Sequence, residues 1–310
     1  MPGGSLQCPG RDLLASPSMN YLISGATGFV GTHLLNHLRG EGQEMQVISR
    51  RPNVGRDWTM ESLLPAVLEA DVVVHLAGAG VMDAAWSPAR KLELESSRVE
   101  TTALLARACV DAFKQGHRLR LVSASAVGYY GPHPYGEVQE ESSPPGEDFL
   151  AQLCVKWEAA LGAAQEAGVP VSVVRFGVVL GPDGGALKRM LLPFKLGLGG
   201  PIGDGSQAFP WIHVQDLARL IEFIAQDDER AGIYNGVAPG CVDQRTFAGA
   251  LGRALRRPAL LPAPALVLRL ILGERSTLLL TGQQVQPKAA LAAGFAFEHP
   301  AIDEALAEIW

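Results

Sequence analysis

The chain has 310 residues, enough for one large α/β domain or a domain with a modest C-terminal appendage. Apolar residues make up 47% and charged residues 19%, which supplies a sizeable core and excludes a disordered chain. With 26 basic against 32 acidic side chains the formal net charge is −6, which argues against a dedicated nucleic-acid binder.

Residues 1–18 hold no apolar signal core, and Asp12 is foreign to a transit peptide, so they read as a loose leader. From Met19 onward, apolar runs alternate with helical segments. Residues 21–24 read as a buried strand, 29–38 as a helix, and 45–49 and 71–77 as further strands. A long helix is expected over 88–113, then a strand over 120–125, a helix over 149–167 and a strand over 171–175. Continuous apolar strands separated by amphipathic helices imply a Rossmann-type, doubly wound parallel sheet with helices on both faces. Residues 19–180 are its nucleotide-binding core. Residues 181–310 form a smaller, mostly helical substrate-side region. There the loops 181–185 and 197–205 bracket one apolar helix in the manner of a lid, and 258–280 read as a helical cap.

The cysteines Cys8, Cys109, Cys154 and Cys241 are dispersed and form no C-x-x-C pair, so a reducing, cytoplasmic setting is expected. No apolar run approaches the ~18 residues of a membrane span. The histidines show no ligand spacing, and no metal is expected.

The strongest motif is Gly25-Ala26-Thr27-Gly28-Phe29-Val30-Gly31, after a strand and at the opening of a helix. The first glycine permits a tight turn, the second admits a pyrophosphate to the backbone, and the third lets helix and strand pack closely. The helix N-terminus then offers N–H groups and partial positive charge to phosphates. The second strand ends in Ser49-Arg50-Arg51, where an NAD site usually places a carboxylate for the ribose 2′-hydroxyl. A carboxylate would repel a 2′-phosphate, whereas a guanidinium pairs with it. The expected cofactor is therefore NADP(H). Leu76 and Ala77, at the end of their strand, are expected on the adenosine side, and Gly177 and Val178 at the nicotinamide end.

These residues, together with His75-Leu76-Ala77, Ser123-Ala124-Ser125, Arg175-x-Gly177-Val178-Val179-Leu180-Gly181-Pro182 and Trp211-Ile212-His213-Val214-Gln215-Asp216-Leu217, resemble the extended short-chain dehydrogenases/reductases. Tyr129-Tyr130-Gly131, Lys156-Trp157-Glu158, the block from Leu191 to Gly203 and Gly282-Gln283-x-Val285-x-Pro287 resemble the atypical epimerase-family subgroup 39U more narrowly. The resemblance implies an NADP-dependent oxidoreductase. It also implies a Tyr-x-x-x-Lys pair, yet aligning the helix through Glu158 puts Leu150 and Cys154 at those positions, and Arg98 at the usual Asn. Of the family's catalytic set only Ser125 remains. Tyr129, Tyr130 and His213 are the candidate substitute proton donors, Tyr129 first because a residue looks inserted after Ser125. For all of them, ordinary packing is the competing role. Arg98 could replace the lost Lys as a cation beside the cofactor, Lys156 could reach it by its long stem, and Glu93 could contact its ribose or amide.

Two functions lead at this level. One is an NADP(H)-dependent oxidoreductase of a small carbonyl or alcohol with an unusual proton donor. The other is an NADP(H)-binding sensor or scaffold in which catalysis has been abandoned. A third, a sugar-nucleotide epimerase, is disfavoured because its cycle also needs the missing acid/base Tyr and such enzymes usually hold NAD. The expected partners are the dinucleotide and an unidentified small molecule, with no nucleic acid and no membrane; a homodimer stays open. Asp148 and Asp216 are expected to cap helices.

Overall fold

The computed structural model describes residues 18–50 and 55–309; the leader up to residue 17, and Arg51 with its neighbours, lie outside the described residues. The first half runs β1 (Asn20–Ser24), α1 (Phe29–Gly40), β2 (Glu44–Ile48), α2 (Met60–Val67), β3 (Val72–His75), α3 (Pro88–Lys114), β4 (Arg120–Ala126), β5 (Val138–Gln139), α4 (Phe149–Ala159), α5 (Gly162–Glu166), β6 (Val171–Phe176) and β7 (Val178–Leu180). It continues through α6 (Gly185–Lys195), β8 (Ala208–Phe209), β9 (Trp211–His213), α7 (Val214–Ala225), β10 (Ile233–Gly236), β11 (Val242–Asp243), α8 (Gln244–Ala254), α9 (Ala265–Leu272), α10 (Thr277–Leu280), β12 (Gln284–Val285), α11 (Lys288–Ala292) and α12 (Ile302–Ile309).

Six strands form one parallel sheet in the order β2–β1–β3–β4–β6–β10. Tyr21 pairs with Met45 on one side and Val72 on the other, so strand order reverses between β1 and β3. Open α/β sheets take their ligands at such a reversal, outside the carboxyl ends of the strands. Beyond β2 the edge position is reduced to one bridge between Ile48 and Arg56. The Ser49 amide donates to the Arg56 carbonyl at 2.8 Å, and the Arg56 amide to that of Val47 at 2.7 Å.

The central strands are mostly apolar because both faces are covered. Leu22, Val73, Leu121 and Val173 pack with Leu63 of α2 and Leu105 and Cys109 of α3. Their neighbours Ile23, Val74, Val122 and Val174 point the other way, against Leu34 and Leu38 of α1 and Leu217 and Ile221 of α7. Each such side chain taken fully out of water contributes ~1.5–3 kcal/mol before entropy is counted. A third cluster, around Trp211, Phe247 and Leu306, joins α8 and α12 to α6 and the short strands β7, β8 and β9.

Local chemistry sets the helix ends. The Ser87 hydroxyl accepts the Arg90 amide at 3.2 Å, and Pro88 opens α3 where its missing N–H costs nothing. Asp148 caps α4 by accepting the Ala151 amide at 2.9 Å. The single helix expected over 149–167 breaks at Ala160–Leu161, and α5 turns to pack on α3. Asp216 is not the expected cap. α7 begins earlier, at Val214, and His213 caps it through Nδ1. The buried Asp216 carboxylate accepts the Glu298 and His299 amides at 2.9 and 2.8 Å and pairs with Arg219, pinning the chain before α12. Among the described residues no helix is long and apolar enough to cross a membrane.

Candidate functional site

At the reversal point, Gly25 leaves β1 with φ +72°, in the left-handed region. A Cβ there would lie 2.7 Å from the Leu76 carbonyl carbon and 2.8 Å from the Ala77 nitrogen, so the exit of β3 packs backbone against backbone on this turn. A Cβ on Gly31 would lie 2.3 Å from the Gly25 oxygen and 2.6 Å from the Ala26 Cα. Gly28 caps α1 with no side chain, and the helix's first turn carries no acid. Thr27 and Gly28 are exposed and Phe29 and Val30 half-buried, so an uncapped, electropositive helix end faces outward over the sheet. This cradle, closed to side chains and open to solvent, fits a diphosphate. Under it the Ser24 hydroxyl meets His75 Nδ1 at 2.6 Å and accepts the Leu76 amide at 3.2 Å. Burial, and then the charge of Arg98, pulls the His75 pKa down to about 4, which keeps the ring neutral. At the end of β2, Ser49 is half-buried and Arg50 exposed, while Arg51 falls outside the described residues.

A cavity of about 490 Å³ adjoins the turn. Phe29, Val30, Arg98, Gly177 and Val178 line it, as do Leu150 and Cys154 of α4. Its other walls come from distant chain: Met82 after β3, Met190 of α6, Gln207 to Pro210 around β8, Gln244 of α8 and Thr277 to Gln283. The Gln283 amide donates to the Val127 carbonyl at 2.8 Å, and that of Gln207 to Leu279 at 2.7 Å, which joins these walls. The Arg98 guanidinium donates to the Leu94 and Ala79 carbonyls at 3.1 and 2.9 Å and lies 5.1 Å from the Trp157 ring centre. Burial first, then the Glu158 charge, pushes the Cys154 thiol up to about 12. Its Sγ sits 3.7 Å from the Ala126 carbonyl. The two positions that the resemblance reserves for Tyr and Lys therefore face the cavity with an alkyl group and an un-ionised thiol.

The expected catalytic pair lies elsewhere. Ser125, 2% exposed, donates to Glu158 at 2.7 Å. Glu158 accepts two bonds from the buried Arg175 guanidinium, at 2.9 and 2.8 Å. Arg175 reaches the Tyr130 hydroxyl at 3.0 Å, which donates to Asn235 at 2.7 Å. The Tyr129 ring centre lies 3.4 Å from the Arg175 guanidinium carbon. Ser125 and Tyr129 thus belong to a buried polar network tying α4, β4, β6 and β10 together, and neither lines the cavity. His213 is a helix cap whose ring lies 4.0 Å, centre to centre, from the tilted ring of His299. Two further candidates make ion pairs with neighbouring side chains. Lys156 is turned to the outer surface, where its ammonium lies 2.9 Å from both Glu95 oxygens. Glu93 is exposed and bonded to Arg90 at 2.6 Å on the same helix. Both residues lie on helix faces that neighbouring charges already satisfy.

The cavity's distal walls were not read from the sequence as a site. One signal was available in Gly282 of the Gly282-Gln283 motif, where a Cβ would lie 2.0 Å from the Ala208 oxygen. That glycine permits the close approach of two segments that both line the cavity.

The model of the NAD dependent epimerase/dehydratase family matches residues 21–235, and a domain of unknown function matches 263–309. The epimerase family protein SDR39U1 of mouse is 43% identical over 297 residues, covering 94% of this chain and 99% of that protein. The chloroplastic SDR39U1 homologue of Arabidopsis thaliana is 37% identical, covering 94% and 86%. A crystal structure of human epimerase family protein SDR39U1 (isoform 2) with NADPH superposes with a TM-score of 0.86 at 39% identity, covering 94% of this chain and 99% of that one.

Proposed function

This chain belongs to the NAD dependent epimerase/dehydratase family, and from that premise we propose that it is an NADP(H)-dependent oxidoreductase acting on a small, largely apolar carbonyl or alcohol. The observation that carries the proposal is the glycine cradle over residues 25–31 opening onto the 490 Å³ cavity, with Arg50 beyond the adjacent strand. The NADPH in the human relative's crystal structure supports the same cofactor. On this reading the turn holds the diphosphate, and Ser49, Arg50 and Arg51 hold the 2′-phosphate. Leu76 and Ala77 border the adenosine, and Gly177 and Val178 the nicotinamide. Bound NADPH would supply a hydride.

The chain's own residues orient the substrate and exclude water. Among the described residues lining the cavity, none is an ordinary acid free to act near neutrality. The Cys154 thiol is pushed up to about 12, Asp148 is engaged as a helix cap, and Arg98 does not exchange protons. Arg98 is the one lining cation among the described residues, positioned to stabilise developing negative charge. Turnover should therefore be slow, by the ~10²–10⁴-fold that a missing general acid costs. Ser125 acts as a positioning residue through Glu158. Leu150 and Cys154 equally favour the second reading, a protein that binds NADP(H) tightly and signals its redox state to a partner. The cytoplasmic setting is part of the proposal and rests on the dispersed cysteines.

Replacing Arg50 with Ala tests the cofactor assignment. NADPH affinity should fall ten- to hundredfold while NADH affinity stays. Equal loss for both would mean that the side chain does not touch a 2′-phosphate.

A further inference from the structure

α9 has no buried residue. Leu266, Val267, Leu270 and Ile271 fall within one side of its helical wheel and are all exposed, Leu270 at 79%. Chain pairing extends the apolar face beyond the helix. The Leu261 amide donates to Gly199 at 3.2 Å and the Ala263 amide to Pro201 at 2.8 Å, which sets exposed Leu260 and Leu261 beside exposed Leu198. Soluble monomers rarely leave so many large aliphatic side chains together in water.

The border of this face is cationic in a chain whose net charge is −6. Lys195, Arg257 and Arg269 are exposed at the ends of or within these segments, and of the acids next to them in sequence Glu274 pairs with Lys91 while Asp204 accepts the Ser206 amide and hydroxyl. An aliphatic centre rimmed by cations matches the interface of an anionic bilayer, where leucines enter the headgroup boundary and cations meet lipid phosphates and carboxylates. A two-fold contact between copies fits less well, since it would set each copy's cations against the other's. The face adjoins the cavity: Ile202 of the 196–203 loop lines it, with Met190 of α6 just before that loop and Leu278 and Leu279 of α10 shortly after α9.

We propose that the face formed by α9 and the loops at 196–203 and 257–263 adsorbs reversibly to anionic membrane surfaces, which revises the expectation of no membrane partner. The proposal is independent of the cofactor assignment. Sedimentation of the full chain with vesicles tests it, comparing phosphatidylcholine alone with phosphatidylcholine mixed with phosphatidylserine. Binding should require phosphatidylserine and weaken with salt. Removing a cation should cost about fivefold, so Arg257→Gln with Arg269→Gln should cost roughly thirtyfold. Leu266→Ser with Leu270→Ser should cost about tenfold or more. All four side chains are exposed, so circular dichroism and thermal unfolding should match the parent. A folded parent that stays in the supernatant at low salt overturns the proposal, as does binding that neither pair of variants weakens. A concentration-dependent dimer dissolved by the leucine pair would assign the face to a second copy instead, and would equally overturn it.

Discussion

Restoring the missing acid is the sharpest perturbation this structure offers. Leu150 and Cys154 stand one helical turn apart on α4, and both line the cavity. Leu150→Tyr with Cys154→Lys would put a phenol and an amine there. The new amine would occupy a site where the thiol is 4% exposed, close to the Arg98 charge. Burial and a like charge both disfavour an ammonium, so its pKa should fall towards neutrality, and the strain of the larger side chains should cost ~1–3 kcal/mol of stability. Against that, a positioned general acid contributes ~10²–10⁴-fold in rate. The assay is the initial rate of NADPH absorbance loss at saturating cofactor across a panel of small apolar carbonyls. The double variant should exceed the parent by at least the lower bound, and Leu150→Tyr alone should gain less. A double variant that folds, binds NADPH and gains nothing would mean that hydride does not meet substrate in this cavity.

Gly31→Ala places a methyl 2.3 Å from the Gly25 oxygen, so the turn must open. NADPH and NADH affinities should fall together by more than about tenfold, against an overpacking cost of ~1–3 kcal/mol; unchanged titrations with both would show that this turn is not the cradle. Glu158→Gln leaves the Arg175 guanidinium buried without its counter-charge and should cost ~3–5 kcal/mol in urea unfolding. A loss below ~1 kcal/mol would show that the network is not structural. His75 and His213 both have folded pKa values near 4, for each through burial first, with Arg98 and His299 respectively adding to it. Protonation therefore favours the unfolded chain. Their stabilisation is complete above pH 6.5 and is lost as pH falls from 6.5 towards 4, by up to about 3 kcal/mol each. Unfolding free energies that stay flat across that window would contradict it.

The turn at 25–31 was legible because its chemistry is local: each glycine answers to atoms within a few residues or on the adjoining strand. The alternation of strands and helices was legible for the same reason, and boundaries moved by only a residue or two at β1, β2 and β4. What the sequence concealed depends on the direction in which side chains leave a helix and on partners far along the chain. Lys156 sits close to Cys154 in sequence, yet points to Glu95 on α3. Ser125 occupies the right strand end, but Glu158, 33 residues later, holds its hydroxyl. Asp216 has a capping residue's chemistry and serves amides 82 and 83 positions away. The cavity's outer walls, from Gln207 to Pro210 and from Thr277 to Gln283, come together only through tertiary pairing that no local pattern announces.

Titration calorimetry of the purified chain with NADPH and with NADH tests the account most directly. Backbone amides at the turn should give both ligands measurable affinity, and the guanidinium beyond β2 should favour NADPH roughly ten- to hundredfold. No heat with either dinucleotide, or equal affinity for the two, would contradict it.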